Sequence, residues 1–499
     1  MHVGMLLQMA ADGMGERVAL GSRTDGTTVA ELAARARRAG TVLADMPGER
    51  VALIDLNSEA VPIALFGAAL AGKPFVPINY RLADEQLRDL VARTAPVTVI
   101  TGEGVAERLG TIPGVELIER KEFLERTVDP SVEEADPYGG DPDSIAVLLY
   151  TSGTTGAPKA AVLRNRNLTS YVISTVEFAG AGEDEAAIVS VPPYHIAGIS
   201  SVLSSTYSGR RVVHLETFEP HVWVDLVRAE AVTHAMVVPT MLNRILDVIA
   251  EDGGGLPSLR SLSYGGGPMP LSVIERAMAL LPGVGFVNAY GLTETASTIA
   301  LLGPDDHRRA HASDDPAVRA RLASVGRPLP TVEVVVRGGD GAVLGTGQRG
   351  EIWVRGEQVA GEYEDNGGSD DGWFNTRDEG HLDDEGFLFV HGRLDDVIVR
   401  GGENLSPGEI ETALLAHPSV AAAAVVGIPD PEWGEKVVAA VVPVEGAEID
   451  EEELRTFVRA ALRSTRTPER IEVRADLPFN ETGKLLRRVL REELATRFG

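Results

Sequence analysis

A chain of 499 residues, 44% of them hydrophobic, exceeds what one core can organise, since single cores stop growing at roughly 250–300 residues, so at least two domains are expected. Lys+Arg 46 against Asp+Glu 74 leaves a net charge of −28, which repels polyanions and argues against nucleic acid or an anionic membrane surface as partner. The absence of cysteine excludes disulfides, thiolate metal sites and any intermediate carried on an enzyme cysteine, so a reacting thiol must come from outside.

The N-terminal MHVGMLLQMAADGMGER has no basic segment ahead of its apolar stretch and meets Asp12 early, unlike a secretory signal or membrane anchor. Elsewhere the longest apolar stretch, at 420–428, falls far short of the roughly 20 residues of a spanning helix. A cytoplasmic address is the expectation. From Arg50 the segments RVALIDL, VPIALFGAALAG, PFVPINY, ADEQLRDLVARTA and PVTVIT alternate β-rich runs with helical stretches, which predicts βαβ units in a parallel sheet. HAMVVPTMLNRILDVIA and SLRSLSYGGGP repeat the style, so a large doubly wound α/β domain is expected. After Thr331, TVEVVV, GEIWVRG and GFLFVHGR are short strands split by Gly and Asp turns, an antiparallel or barrel-like portion that closes the large domain. The acidic, Gly-rich GEYEDNGGSDDGW reads as a solvated surface turn. Beyond Arg393, GEIETALLAHP and DEEELRTFVRAALRS read as helices and AAAAVVGI and KVVAAVVPV as strands, a small α+β domain. The division expected is 1–394 and 395–499.

The strongest local signal is the strand IAVLLY running into TSGTTGAPKA. Gly153 and Gly156 permit a tight turn with exposed N–H groups; Thr151, Ser152, Thr154 and Thr155 add hydroxyl donors, and Lys159 adds a cation. This is phosphate-cradle chemistry without the spacing of a Walker A loop. A flexible Ser/Gly loop is the alternative, and the upstream strand with Pro158-Lys159 favours the phosphate. In NAYGLTETA, Tyr290 offers a face to a base, Thr293 a hydroxyl to a phosphate and Glu294 a hard oxygen to Mg²⁺, although a carboxylate favoured by a helix N-terminus would look the same. Asp378 in GWFNTRDEG suits the two hydroxyls of a ribose, Arg393 in HGRLDD suits ribose or phosphate oxygens, and Lys484 in PFNETGK could stand between a carboxylate and a phosphate or be an ordinary surface lysine.

Taken in order, YTSGTTGAPK, PPYHIAG, YGGGP, NAYGLTE, a W-F-x-T-x-D element, GRLDD, GGENLSP and NETGK resemble the adenylate-forming superfamily of acyl-CoA synthetases, aryl-CoA ligases, luciferases and peptide-synthetase adenylation domains. The resemblance spans nearly the whole chain. It implies ATP, Mg²⁺ and coenzyme A as cofactors and substrates, with the nucleotide held by the 151–159 loop, Gly265, Gly266, Gly267, Asn288, Ala289, Tyr290, Gly291, Thr293, Asp378 and Arg393. It further implies Glu294 as the metal ligand, Lys484 as the catalytic lysine of a mobile C-terminal domain, and Asp395 as its hinge. His195, Ile196, Gly198 and Tyr264 would border the acid pocket, His195 and Thr293 near the reacting groups, and Gly401, Gly402 and Glu403 the thiol side. One departure stands beside the ribose ligand, where this chain has Arg377 and the family usually has Gly.

The expected activity is conversion of a monocarboxylic fatty or aryl acid to acyl-AMP and then to its coenzyme A thioester. The pocket residues carry no obvious partner for a second carboxylate. The nearest rival loads the phosphopantetheine of a separate carrier protein; a non-catalytic nucleotide-binding module is the rival of another class, against which Lys484 and Glu294 both speak. A homodimer is compatible with the sequence.

Overall fold

The computed structural model describes residues 1–138, 140–151, 158–364, 371–401, 403–431, 433–444, 446–462, 466–479 and 485–499. The early βαβ units form a six-stranded sheet in the order Val115–Glu119, Val97–Thr101, Arg50–Ile54, Phe75–Pro77, Ile145–Thr151, Lys159–Arg164, parallel except for the last hairpin. A second sheet of nine strands runs Arg327–Pro328, Ser297–Leu302, Gly285–Leu292, Ser261–Gly265, His234–Val237, Ala186–Val189, Arg211–His214, Val18–Leu20, Thr27–Thr28. Its interior pairings are parallel, and antiparallel strands finish both edges.

One apolar core joins the two sheets. It takes Val51, Leu53 and Phe75 from the first and Leu20, Val189 and Val212 from the second. The helix Ala60–Leu70 fills the space between, and because VPIALFGAAL carries no polar face, every residue from Ala60 to Ala69 is buried. Burying a side chain such as Phe66 contributes about 1.5–3 kcal/mol. The helix Val29–Asp45 packs beside it, its start fixed by a capping box in which Thr28 and Glu31 satisfy each other's backbone N–H.

After Thr331 the antiparallel expectation is met by four strands in sequence order, Glu333–Arg337, Gly350–Arg355, Phe374–Leu382 and Leu388–Arg393. The reading of 361–373 as a solvated turn needs correction at its start. Residues 361–364 cross back to the first sheet, where Tyr363 bridges Ala161, Glu362 accepts two hydrogen bonds from Arg164 and Glu364 pairs with Arg50. Those long-range partners, absent from any local pattern, make residues 361–364 structural; 365–370 lie outside the described residues.

The four-stranded sheet ends at Arg393, a short 3-10 turn covers Leu394–Asp396, and a new sheet begins at Ile398–Arg400. That sheet also contains Glu403–Leu405 and the long hairpin Val420–Asp430 with Gly434–Pro443, joined in parallel by Arg470–Val473. Helices Pro407–Leu415 and Glu451–Ala461 pack into one core with it, and the C-terminal helix Arg487–Phe498 supplies Leu490 and Leu494 to another. This domain touches the four-stranded sheet where the Ser406 hydroxyl donates to the His391 carbonyl at 3.0 Å and Arg349 faces Glu409 at 3.9 Å. No helix among the described residues is long and apolar enough to cross a membrane.

Candidate active site

The carboxyl ends of parallel strands are where open α/β sheets leave room for a ligand; Thr151 and Gly265 end such strands, while Asp378 and Arg393 lie on the antiparallel four-stranded sheet. Thr151 ends its strand and pairs with Lys159, which opens the return strand. Ser152, Gly153, Thr154, Thr155 and Gly156 lie outside the described residues. Ser261–Gly265 lies alongside Gly285–Leu292 with Gly265 opposite Ala289, and a Cβ on Gly265 would sit 2.3 Å from the Ala289 carbonyl oxygen, so no side chain fits. Gly266 turns with φ +82° and, with Gly267, is exposed. Asn288 donates to the Ser324 carbonyl at 3.0 Å, and Gly291 is exposed.

Thr293 opens a single 3-10 turn whose second residue is Glu294. The Glu294 side chain is buried at 7% exposure, and its Oε1 accepts a hydrogen bond from the Tyr363 hydroxyl at 2.5 Å. Burial, followed by the Glu294 charge, pushes the Tyr363 hydroxyl far above its ordinary pKa. Lys159 lies over the Tyr363 ring, 5.9 Å from its centre, which ties the strand Lys159–Arg164 to the same spot. The chain leaves the turn under strain: Ala296 and Ser297 have φ of 53° and 111°, conformations that cost side-chain-bearing residues about 1–3 kcal/mol each. The surroundings hold them. Fully buried Gln358 donates to the carbonyls of Thr295 and Thr298, and the backbone N–H groups of Ala360 and Gly361 both donate to the Glu294 carbonyl.

Asp378 is buried at 5% exposure on the third strand of the four-stranded sheet. The Tyr290 hydroxyl, from the nine-stranded sheet, donates to its Oδ2 at 2.5 Å, and Arg393 donates to its Oδ1 at 3.2 Å. Burial and then the Asp378 carboxylate raise the Tyr290 hydroxyl well above its ordinary pKa. Burial disfavours the Arg393 charge, but Asp378, Glu294 and Tyr290 outweigh it and raise the pKa. Link by link, Lys159, Glu294, Arg393, Asp378 and Tyr290 therefore face one region. Arg377 adopts φ +60°, the left-handed conformation glycine takes most easily, which accounts physically for the glycine usual at that position. Its guanidinium turns outward to Asp395 at 3.6 Å.

His195 caps the N-terminus of the helix Ile196–Ser208, half-buried, its ring 4.7 Å from that of Tyr194; Ile196 is half-buried and Gly198 buried. Tyr194 in turn meets Tyr80 edge-on, so aromatic residues from both large sheets meet here. Ser200 on the same helix lies 3.2 Å from Ser297, which places this helix against the Glu294 turn. Tyr264 points into the core: its ring is 0% exposed and its hydroxyl lies 2.8 Å from His307 Nε2. In the small domain Gly401, at φ +57°, makes the hairpin between Arg400 and Glu403, with its N–H on the Trp433 carbonyl. Gly402 and Lys484 lie outside the described residues. The sequence reading missed Tyr363 and Gln358; the only available signal was an aromatic residue set in an otherwise acidic, Gly-rich stretch.

No group of three or more acidic or histidine ligands occurs among the described residues. A lone buried carboxylate with one oxygen already hydrogen-bonded fits Mg²⁺, which commonly takes one or two carboxylates and completes its shell with substrate phosphates and water. It does not fit a metal held by protein ligands alone.

Two large α/β sheets, a four-stranded antiparallel sheet and a smaller C-terminal α+β portion give the chain its architecture. Residues 7–364 match the family model described as AMP-binding enzyme, and 409–484 match its C-terminal domain. The chain is 33% identical over 477 residues to a feruloyl-CoA synthase of an Amycolatopsis species, covering 94% of this chain and 92% of the relative. It is 33% identical over 462 residues to a fatty acid–[acyl-carrier-protein] ligase of Streptomyces coeruleorubidus, covering 89% and 87%. The structure of the o-succinylbenzoate-CoA synthetase of Bacillus subtilis, complexed with its acyl-adenylate, superposes with a TM-score of 0.83 at 30% identity, covering 97% of each chain. The chain belongs to the AMP-binding enzyme family, and so to the adenylate-forming superfamily. It is an AMP-forming acid–thiol ligase.

Proposed function

We propose that this chain activates a monocarboxylic fatty or aryl acid with ATP and transfers the acyl group to coenzyme A. The observation that carries the reading is the chain of contacts linking Lys159 and Glu294 through Tyr363, and Tyr290 and Arg393 through Asp378. A carboxylate and a triphosphate repel each other, so their reaction requires neutralisation and alignment more than covalent help. Lys159 and the hydroxyls of the 151–156 loop hold the β- and γ-phosphates. Asp378 accepts from the ribose hydroxyls while Arg393 holds that carboxylate in place. Glu294 presents its Oε2 toward the phosphates; Mg²⁺ bound there supplies positive charge to the triphosphate. His195 and Ile196 border the acid, and Thr293 lies beside the reacting phosphate.

The positive charge of Lys484 offsets the repulsion between the acid and the α-phosphate. An oxygen of the substrate carboxylate attacks the α-phosphorus in line, and the bond to the β-phosphate breaks to release pyrophosphate. The thiolate of coenzyme A then attacks the acyl carbon, and AMP leaves with the electron pair of the carbon–oxygen bond. Between the steps the 395–499 domain turns about Asp395, withdrawing Lys484 and bringing the Gly401–Glu403 hairpin to the thiol path. A carrier-protein thiol in place of coenzyme A is the second reading, favoured by the likeness to the fatty acid–carrier ligase.

Lys484→Ala tests the assignment. Losing a charge aimed at the transition state should slow pyrophosphate release from acid and ATP by about 10²–10³-fold. Single-turnover thioester formation from supplied acyl-AMP should change far less. Equal losses in both half-reactions would refute the role of Lys484. Repeating the thioester assay with coenzyme A and with a phosphopantetheinylated carrier separates the two acceptors.

A further inference from the structure

The segment 358–363 touches the Glu294 turn at every available level. Gln358 holds the strained residues after it by way of the Thr295 and Thr298 carbonyls, Ala360 and Gly361 hold its own carbonyl, and the Tyr363 hydroxyl holds its side chain at Oε1. The same tyrosine bridges Ala161 through its backbone and carries Lys159 over its ring. A carboxylate can rotate between two equivalent faces. With Oε1 occupied by a donor anchored on a different strand, only Oε2 is offered, in one orientation. Among the described residues Oε2 takes no hydrogen bond.

We propose that Tyr363 is a positioning residue for the metal-facing carboxylate: it fixes Glu294 so that one oxygen alone meets the metal–triphosphate. The inference rests on the reading of Glu294 as the Mg²⁺ ligand. Partners one shell out from a metal commonly change its affinity by about 10- to 100-fold when removed, because the ligand loses its orientation. Tyr363 does this without charge, and leaves the Lys159 contact to its ring face.

The test compares the Kd of ATP with and without Mg²⁺ by calorimetry, in the absence of acid, for the native chain, Tyr363→Phe and Glu294→Gln. Phenylalanine keeps the ring under Lys159 and removes only the hydroxyl. The factor by which Mg²⁺ tightens ATP binding should fall about tenfold in Tyr363→Phe, while metal-free ATP binds within about twofold of the native value. A phenylalanine variant with an undiminished metal factor, or with metal-free binding weakened by the same ratio, overturns the proposal. Glu294→Gln separates the layers. If it too keeps the full metal factor, the metal-ligand reading fails and takes the proposal with it; if it loses the factor while Tyr363→Phe keeps it, Tyr363 alone loses its role. A thermal midpoint for each variant verifies that the compared proteins are folded.

Discussion

Replacing Asp378 with Asn probes the ribose assignment at the level of single lone pairs. A carboxylate has about four acceptor positions; Tyr290 donates to Oδ2 and Arg393 to Oδ1, and in the proposed reading the ribose hydroxyls donate to the same two oxygens. Asparagine keeps one acceptor oxygen and turns the other position into a donor, so one of the two ribose bonds is lost. Hydrogen bonds to a charged group contribute about 1.5–3 kcal/mol, so AMP should bind about 10- to 150-fold more weakly by titration calorimetry. The same change leaves Arg393 beside a neutral group. Because its side chain is 35% exposed, water compensates much of that loss, and the stability deficit should stay near 1–2 kcal/mol rather than the several typical of a fully buried pair. Comparing AMP with its 2′- and 3′-deoxy analogues sharpens the measurement. The native chain should discriminate against at least one analogue, and Asp378→Asn should lose that discrimination. Equal discrimination in both proteins, or AMP affinity unchanged by the substitution, refutes the ribose contact.

Acid should unfold the chain through its buried histidines. His214 has its Nε2 buried without a partner among the described residues, and burial holds its pKa down at about 4, below the ordinary 6.5. Below pH 6.5 the unfolded chain binds a proton that the folded one refuses until about pH 4, so stability is lost as pH falls through that window, by about 3 kcal/mol for this group. Urea midpoints measured at a series of pH values should fall less steeply for His214→Asn, and parallel curves would refute the assignment. Tyr264→Phe should leave His307 Nε2 without its partner in the core and lower stability by about 1–3 kcal/mol. The KM for the acid should stay nearly unchanged in steady-state assays, and a selective loss of acid affinity would put Tyr264 back at the pocket.

What could be read in advance follows the range of each interaction. Thr151, Lys159, Glu294, Asp378 and Arg393 sit in short motifs whose residue types and neighbours single them out, and the helix-strand alternation after Arg50 announces the sheets. Tyr363 meets Glu294 across 69 positions, and no local period points from one to the other. Its acidic neighbours suggested a surface turn, yet those carboxylates pair with Arg164 and Arg50 on strands far away in sequence. For Tyr264 the signal was present: Leu262 and Tyr264 alternate on the core face of their strand, and the glycines that follow drew attention from that period of two. The departure at Arg377 was visible, but its cause, a positive φ, is a property of the turn and not of the residue. The parallel strand Arg470–Val473 is too short to stand out before its partner Gly434–Pro443 is known.

The contact of Tyr290 with Asp378 joins the nine-stranded sheet to the four-stranded one directly beneath the place assigned to the ribose. A nucleotide bound there, as proposed, would be held by both sheets at once and would act as a rivet as well as a reactant. At a hundred times its Kd it would shift the folding equilibrium by about 2.7 kcal/mol. Purification that strips the nucleotide would thus hand over a frailer protein than the one at work in an ATP-rich cell.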